Sequence, residues 1–166
     1  MAAAAKTLLQ LQDVSRDLFL FDTFKGMTEP AANDFEYTGK HALQVLSEEI
    51  GSRCSDAPLE QVKEVMVATG YPKEKMHFVR GRVEDTVPGS APDTISLLRL
   101  DTDWYESTKH ELTHLFPRLS RSGVIIIDDY GHWKGARKAC DEYFADQRVP
   151  ILLTRIDYTA RIAVKA

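Results

Sequence analysis

Four short apolar runs along the chain end in acid or at a basic turn. Leu18-Phe-Leu-Phe21 runs into Asp22, and Met76-His-Phe-Val79 runs into Arg80-Gly81. Thr94-Ile-Ser-Leu-Leu-Arg-Leu100 runs into Asp101, and Gly123-Val-Ile-Ile-Ile127 runs into Asp128-Asp129. Continuous runs of this length suit strands buried on both faces of a parallel sheet. Between them the apolar residues recur at helical spacing. Residues 2–12 read as one helix, with Leu8, Leu9 and Leu11 after an alanine run. A second helix is predicted from His41 to Ile50. A third opens at Pro58 as its first helical position, carries Leu59, Val62, Val65, Met66 and Thr69, and ends at Gly70 and Pro72.

Tyr105, Thr108, Leu112, Leu115, Phe116 and Leu119 mark one face of a further helix whose last turn Pro117 ends or kinks. Another helix is predicted from Trp133 to Asp146, followed by strands near Ile151–Arg155 and Arg161–Val164. Only a short turn at Asp157-Tyr158 separates those two, so they pair antiparallel. Residues 23–57, punctuated by Gly26, Pro30, Gly39 and Gly51, form an insertion or lid region. The alternation predicts a doubly wound α/β fold: a Rossmann-like, mostly parallel sheet closed by a terminal antiparallel hairpin.

With 166 residues the chain reads as a single domain, able to bury roughly 70% of its unfolded surface. A net charge of −4 gives no reason to expect nucleic acid or an anionic membrane as partner. No apolar run approaches the roughly 20 residues of a membrane span, and Met1–Lys6 is not a signal peptide, so a cytoplasmic location is expected. Cys54 and Cys140 read as reduced core thiols.

Ligands of open α/β sheets bind beyond the carboxyl ends of the strands. Asp22, Asp101 and the Asp128-Asp129 pair all stand there, and carboxylates gathered at one edge repel unless a cation joins them. Oxygen-only ligands favour a hard ion, Mg²⁺ above all, over zinc. Asp103 is read instead as the N-cap of the helix beginning at Trp104, with Glu106 completing a capping box. Asp128-Asp129 has the alternative of an N-cap with a solvated neighbour, and Asp22 that of an ordinary loop acid. Gly39, Gly51, Gly81 and Gly89 are read as turn formers. His110 and His114, four apart, lack the glutamate of a zinc hydrolase. His132, near the acidic pair, is read as a helix-start residue facing solvent.

Four segments resemble one family. Leu98-Arg-Leu-Asp-Thr-Asp-Trp-Tyr-Glu-Ser-Thr108, Gly123-Val-Ile-Ile-Ile-Asp-Asp-Tyr130, Phe21-Asp-Thr-Phe-Lys-Gly-Met27 and Gly81-Arg-Val-Glu-Asp-Thr-Val-Pro88 are similar, in order, to signature segments of the macrocin O-methyltransferase (TylF/MycF-type) family. The resemblance implies a class I methyltransferase that moves the methyl group of S-adenosylmethionine (SAM) to a sugar hydroxyl of a glycosylated small molecule, assisted by Mg²⁺. It implies metal ligation by Asp101, Asp128 and Asp129. Asp101 doubles as the catalytic candidate, although a metal-bound carboxylate is a weak base and the general base stays unassigned. Asp22 matches the position near the cofactor ribose, and Gly81, Arg82, Val83, Glu84 and Asp85 match the loop beside the adenine. The family's first central strand and glycine-rich turn have no counterpart before Leu11, so the chain reads as a fragment, a mis-set start or a natural truncation that binds SAM weakly by itself. The oligomeric state is left open, a homo-oligomer included.

Two other classes stay in view. Asp101-Thr-Asp103 is a D-x-D pattern of the kind that holds Mn²⁺ and a nucleotide diphosphate in glycosyltransferases. A receiver-like or catalytically inactive binding domain is the non-enzyme alternative.

Overall fold

The computed structural model describes residues 1–48 and 57–166. The end of the helix predicted to Ile50, Gly51 and Cys54 lie outside the described residues. Two compact units emerge: Met1–Thr28 with the described part of Cys54–Thr86, and Val87–Ala166 with the described part of Glu29–Arg53. Among the described residues, no helix is long and apolar enough to cross a membrane.

In the first unit, strands β1 (Leu18–Asp22) and β2 (Met76–Arg80) pair in parallel, in register from Leu18↔Met76 to Asp22↔Arg80. Side chains alternate across a strand. Leu18, Leu20, Met76 and Phe78 therefore share the face that packs with Ala5 and Leu9 of helix α1 (Ala2–Gln10) and with Val62 and Met66 of helix α3 (Leu59–Val67). Tyr71 is buried in the same core, and its hydroxyl donates to the Arg16 carbonyl at 2.6 Å. Burying a side chain such as Met66 contributes about 1.5–3 kcal/mol. Two local expectations are corrected. Pro58 is the N-cap of α3, one position before the helix. Val65, placed on the apolar face by spacing, is 54% exposed, because Val62 and Met66 already fill the contact with the sheet.

In the second unit, β3 (Ile95–Leu100), β4 (Leu119–Ile127), β6 (Arg161–Val164) and β5 (Thr154–Arg155) form a sheet in that spatial order. β3 and β4 are parallel; β6 is antiparallel to both β4 and β5, as the terminal hairpin predicts. Helices α5 (Tyr105–Leu115) and α6 (Lys134–Asp146) pack on each other. Leu112, Leu115, Ala139, Cys140, Tyr143 and Phe144 are buried, and Cys140 is a free thiol. Helix α2 (Ala42–Glu48) adds Ala42 and Val45 to a cluster with Trp104, Trp133 and Ala136.

Leu119 belongs to β4 and not to the helix that its spacing suggested. Pro117 tightens Phe116–Arg118 into a 3₁₀ turn, after which the chain is extended. Leu119 pairs with Ile95 and Val124 with Leu97, so β4 bulges between them; Ser122 there has φ +62°. The predicted strand near Ile151–Arg155 contracts to Thr154–Arg155, and Leu152 is 82% exposed.

Candidate functional site

β3 and β4 run parallel with Leu100 opposite Ile127, so the residues that follow each strand emerge side by side. The Asp128 amide donates to the Leu100 carbonyl at 3.0 Å and locks the two ends together. One carboxylate oxygen from each of Asp101, Asp128 and Asp129 lies within 4.8 Å of the other two. The sequence reading thus placed three acids that the fold does bring together. It missed Arg99. Leu98 and Leu100 are buried, so by strand alternation Arg99 faces the other way. Its guanidinium donates to Asp101 at 2.5 Å and to Asp128 at 2.7 Å. A lone arginine inside the apolar run Leu97-Leu-Arg-Leu100 was the available signal.

Crowding of like charge changes how these acids titrate. Partial burial, a hydrogen bond shared with Asp128 and the charges of Asp128 and Asp129 push Asp101 up to about 7, against the pull of Arg99. Burial and the neighbouring charge of Asp128 also raise Asp129.

Asp103 belongs to this group. It is not a helix cap: α5 has Trp104 at its N-cap, and Asp103 sits at φ +66°, a conformation the capping box does not use. Burial, then the charges of Asp129 and Asp101, push Asp103 up to about 8, and it shares a side-chain hydrogen bond with Asp129. A non-glycine residue in this region is strained, and aspartate tolerates it better than most. The cap of α5 comes instead from Asp34, 71 residues upstream, whose Oδ1 accepts the Tyr105 amide at 2.9 Å. Its Oδ2 accepts the Ala31 amide at 2.8 Å, and the residue is fully buried. Gly135 makes room for it: a Cβ there would lie 2.1 Å from Asp34 Oδ1.

Asp128 and Asp129 do not cap α6 with their side chains. The Asp129 carbonyl accepts the amides of His132 and Trp133, both at 3.0 Å, and the helix starts after Trp133. His132 is half-buried rather than facing solvent. Its ring meets Trp133, Tyr37 and Tyr158, and Nδ1 lies 3.0 Å from the Tyr158 hydroxyl. The rings of His110 and His114 lie 4.4 Å apart and tilted by 55°, with His110 Nε2 2.8 Å from the Val87 carbonyl.

In the first unit the predicted cofactor residues are also neighbours. The Gly81 amide donates to the Asp22 carbonyl at 3.0 Å, at the ends of the paired strands. Gly81 has φ +150° and no room for a Cβ, which would meet Thr86 Cγ2 at 2.8 Å. Helix α4 (Val83–Thr86) follows at once, with Arg82 and Glu84 3.4 Å apart. The Asp22 carboxylate is exposed, and its Oδ1 accepts the Phe24 amide at 2.6 Å.

As to fit, the converging acids present oxygen donors alone, the set a hard divalent cation takes. At the ends of β1 and β2, the exposed Asp22 carboxylate offers an acceptor of the kind that a ribose hydroxyl donates to, while Thr86 occupies the space beside Gly81.

The family model for macrocin-O-methyltransferase (TylF) matches residues 2–164. The chain is 34% identical over 136 residues to the 8-demethyl-8-(2,3-dimethoxy-alpha-L-rhamnosyl)-tetracenomycin-C 4'-O-methyltransferase of Streptomyces olivaceus, covering 82% of this chain and 48% of that protein. It is 31% identical over 151 residues to the demethyldecarbamoylnovobiocin O-methyltransferase of Streptomyces niveus, covering 90% of this chain and 56% of that protein. The solved structure of the O-methyltransferase NovP superposes with a TM-score of 0.82 at 27% identity, over 99% of this chain and 66% of that one. The chain spans about half the length of the curated relatives it matches.

Proposed function

Because the chain belongs to the macrocin O-methyltransferase family and has the class I methyltransferase fold, we propose that the protein transfers the methyl group of SAM to a sugar hydroxyl of a glycosylated small molecule. The observation that carries the chemistry is the convergence of Asp101, Asp128 and Asp129 within 4.8 Å. In this reading they hold a divalent cation, Mg²⁺ by preference, and are all ionised when they do so. Such an ion would lower the pKa of a sugar hydroxyl held there, and SAM would supply the electrophilic methyl group, the hydroxyl proton passing to solvent.

The chain's own residues do the rest. Asp22 accepts hydrogen bonds from the ribose hydroxyls, and Gly81 with Arg82, Val83, Glu84 and Asp85 lines the adenine. Asp101 orients the acceptor, and no residue is assigned as the base. Family membership sets aside the glycosyltransferase and receiver readings of the acidic residues. In a full-length form, Asp128→Ala should abolish cation-dependent methyl transfer while SAM affinity stays near the native value. Activity that survived both this substitution and chelation would refute the cation's role.

A further inference from the structure

Arg99 stands in β3 two residues before Asp101, with its side chain 44% exposed. Its planar fork joins the ends of two neighbouring strands, bonding Asp101 at 2.5 Å and Asp128 at 2.7 Å. The backbone of the two strand ends does not depend on it for its place. The Leu100↔Ile127 register and the Asp128 amide bond to the Leu100 carbonyl at 3.0 Å hold both strand ends through the backbone. What the guanidinium adds is charge. Counting only the three carboxylates that converge, and leaving Asp103 aside, the formal charge is −3, and with the +1 of Arg99 it is −2, which one divalent ion balances. A trivalent ion would leave an excess positive charge beside an arginine.

We propose that Arg99 is the charge-selectivity determinant of this cation site, tuning it to divalent ions and limiting how tightly it binds them. The inference rests on the reading that Asp101, Asp128 and Asp129 hold a cation. Repulsion between a guanidinium and a bound ion grows in proportion to the ion's charge. Removing Arg99 therefore raises affinity for a trivalent ion more than for a divalent one. If Mn²⁺ gains about tenfold, the 3:2 charge ratio gives a gain of roughly 30-fold for Tb³⁺.

The experiment is titration of the protein, Arg99→Met and Arg99→Lys with Mn²⁺ by calorimetry and with Tb³⁺ by luminescence. Circular dichroism checks each fold, and Arg99→Gln serves as the neutral variant if the methionine protein does not fold. The neutral variant should bind both ions more tightly, Tb³⁺ by the larger factor. The lysine variant, which keeps the charge without the fork, should stay within about threefold of the parent for Mn²⁺. Equal gains for the two ions, no gain, or a lysine variant that behaves like the methionine one overturns the role of Arg99. If neither parent nor variant binds either ion, the cation site itself is refuted and this role with it. That outcome differs from a parent that binds Mn²⁺ and a methionine variant that matches it, which overturns the Arg99 inference alone.

Discussion

Replacing Asp34 with alanine tests how the acidic site is held together. Asp34 is fully buried and accepts two backbone amides, from Tyr105 at 2.9 Å and Ala31 at 2.8 Å. The Tyr105 amide is one of the unpaired donors at the start of α5, the helix that follows Asp101–Asp103. Loss of a helix cap costs about 0.5–2 kcal/mol, and a second amide left partly buried without a partner adds about 1–2 kcal/mol. We expect Asp34→Ala to lose about 1.5–4 kcal/mol, out of the roughly 5–15 kcal/mol of a typical domain. At about 2–4 °C per kcal/mol for a chain of this size, the melting temperature falls by roughly 3–16 °C. Urea unfolding followed by circular dichroism gives the free energy. Gly135→Ala should be destabilising by a similar amount, since the added methyl would stand 2.1 Å from Asp34 Oδ1 and 3.0 Å from the Tyr105 nitrogen. The double variant should cost less than the sum, because removing the carboxylate makes room for the methyl. An Asp34→Ala protein within 0.5 kcal/mol of the parent, or strictly additive costs, would refute the capping argument.

Asp101 and Asp103 titrate near 7 and 8 in the folded protein, above the ordinary carboxylate value of 3.8. The native state then holds more protons than the unfolded chain between those values, so with divalent ions chelated, stability should fall as pH rises from about 4 to 8. Asp13 and Asp17, whose carboxyls are lowered, act in the opposite sense only below about 4, and His114, lowered by desolvation, opposes the slope below its ordinary value of 6.5. Urea midpoints at pH 5 and pH 8.5 measure the slope, and Asp103→Asn should flatten it; a midpoint that rises with pH contradicts the account. Gly131→Ala would set a Cβ 2.2 Å from the Tyr158 carbonyl, a backbone atom that cannot swing aside. A loss of about 1–3 kcal/mol is expected in thermal melts, and an unchanged melt would show that the 157–160 turn moves freely.

The strand-end acids were legible because the evidence for them is local. An apolar run with a carboxylate at its end states both the strand and the edge where the acid emerges, and Asp101, Asp128 and Asp129 needed only parallel pairing to converge. The same holds for Gly81 after β2, which a turn requires whatever surrounds it. Other features depended on residues distant in sequence. Asp103 with Glu106 carries a capping-box pattern, yet the cap of α5 is Asp34, and no window of sequence spans the 71 residues between Asp34 and Tyr105. Val65 satisfied the helical period but faces solvent, because one sheet face offers room for only part of an apolar stripe. In sequence Arg99 is one basic residue in an apolar run, and its role becomes visible only where β4 brings Asp128 within its reach. Periodicity reports which side chains leave water. Which charges then meet is decided by strand register and by the close approach that residues such as Gly135 permit, and those belong to the tertiary structure.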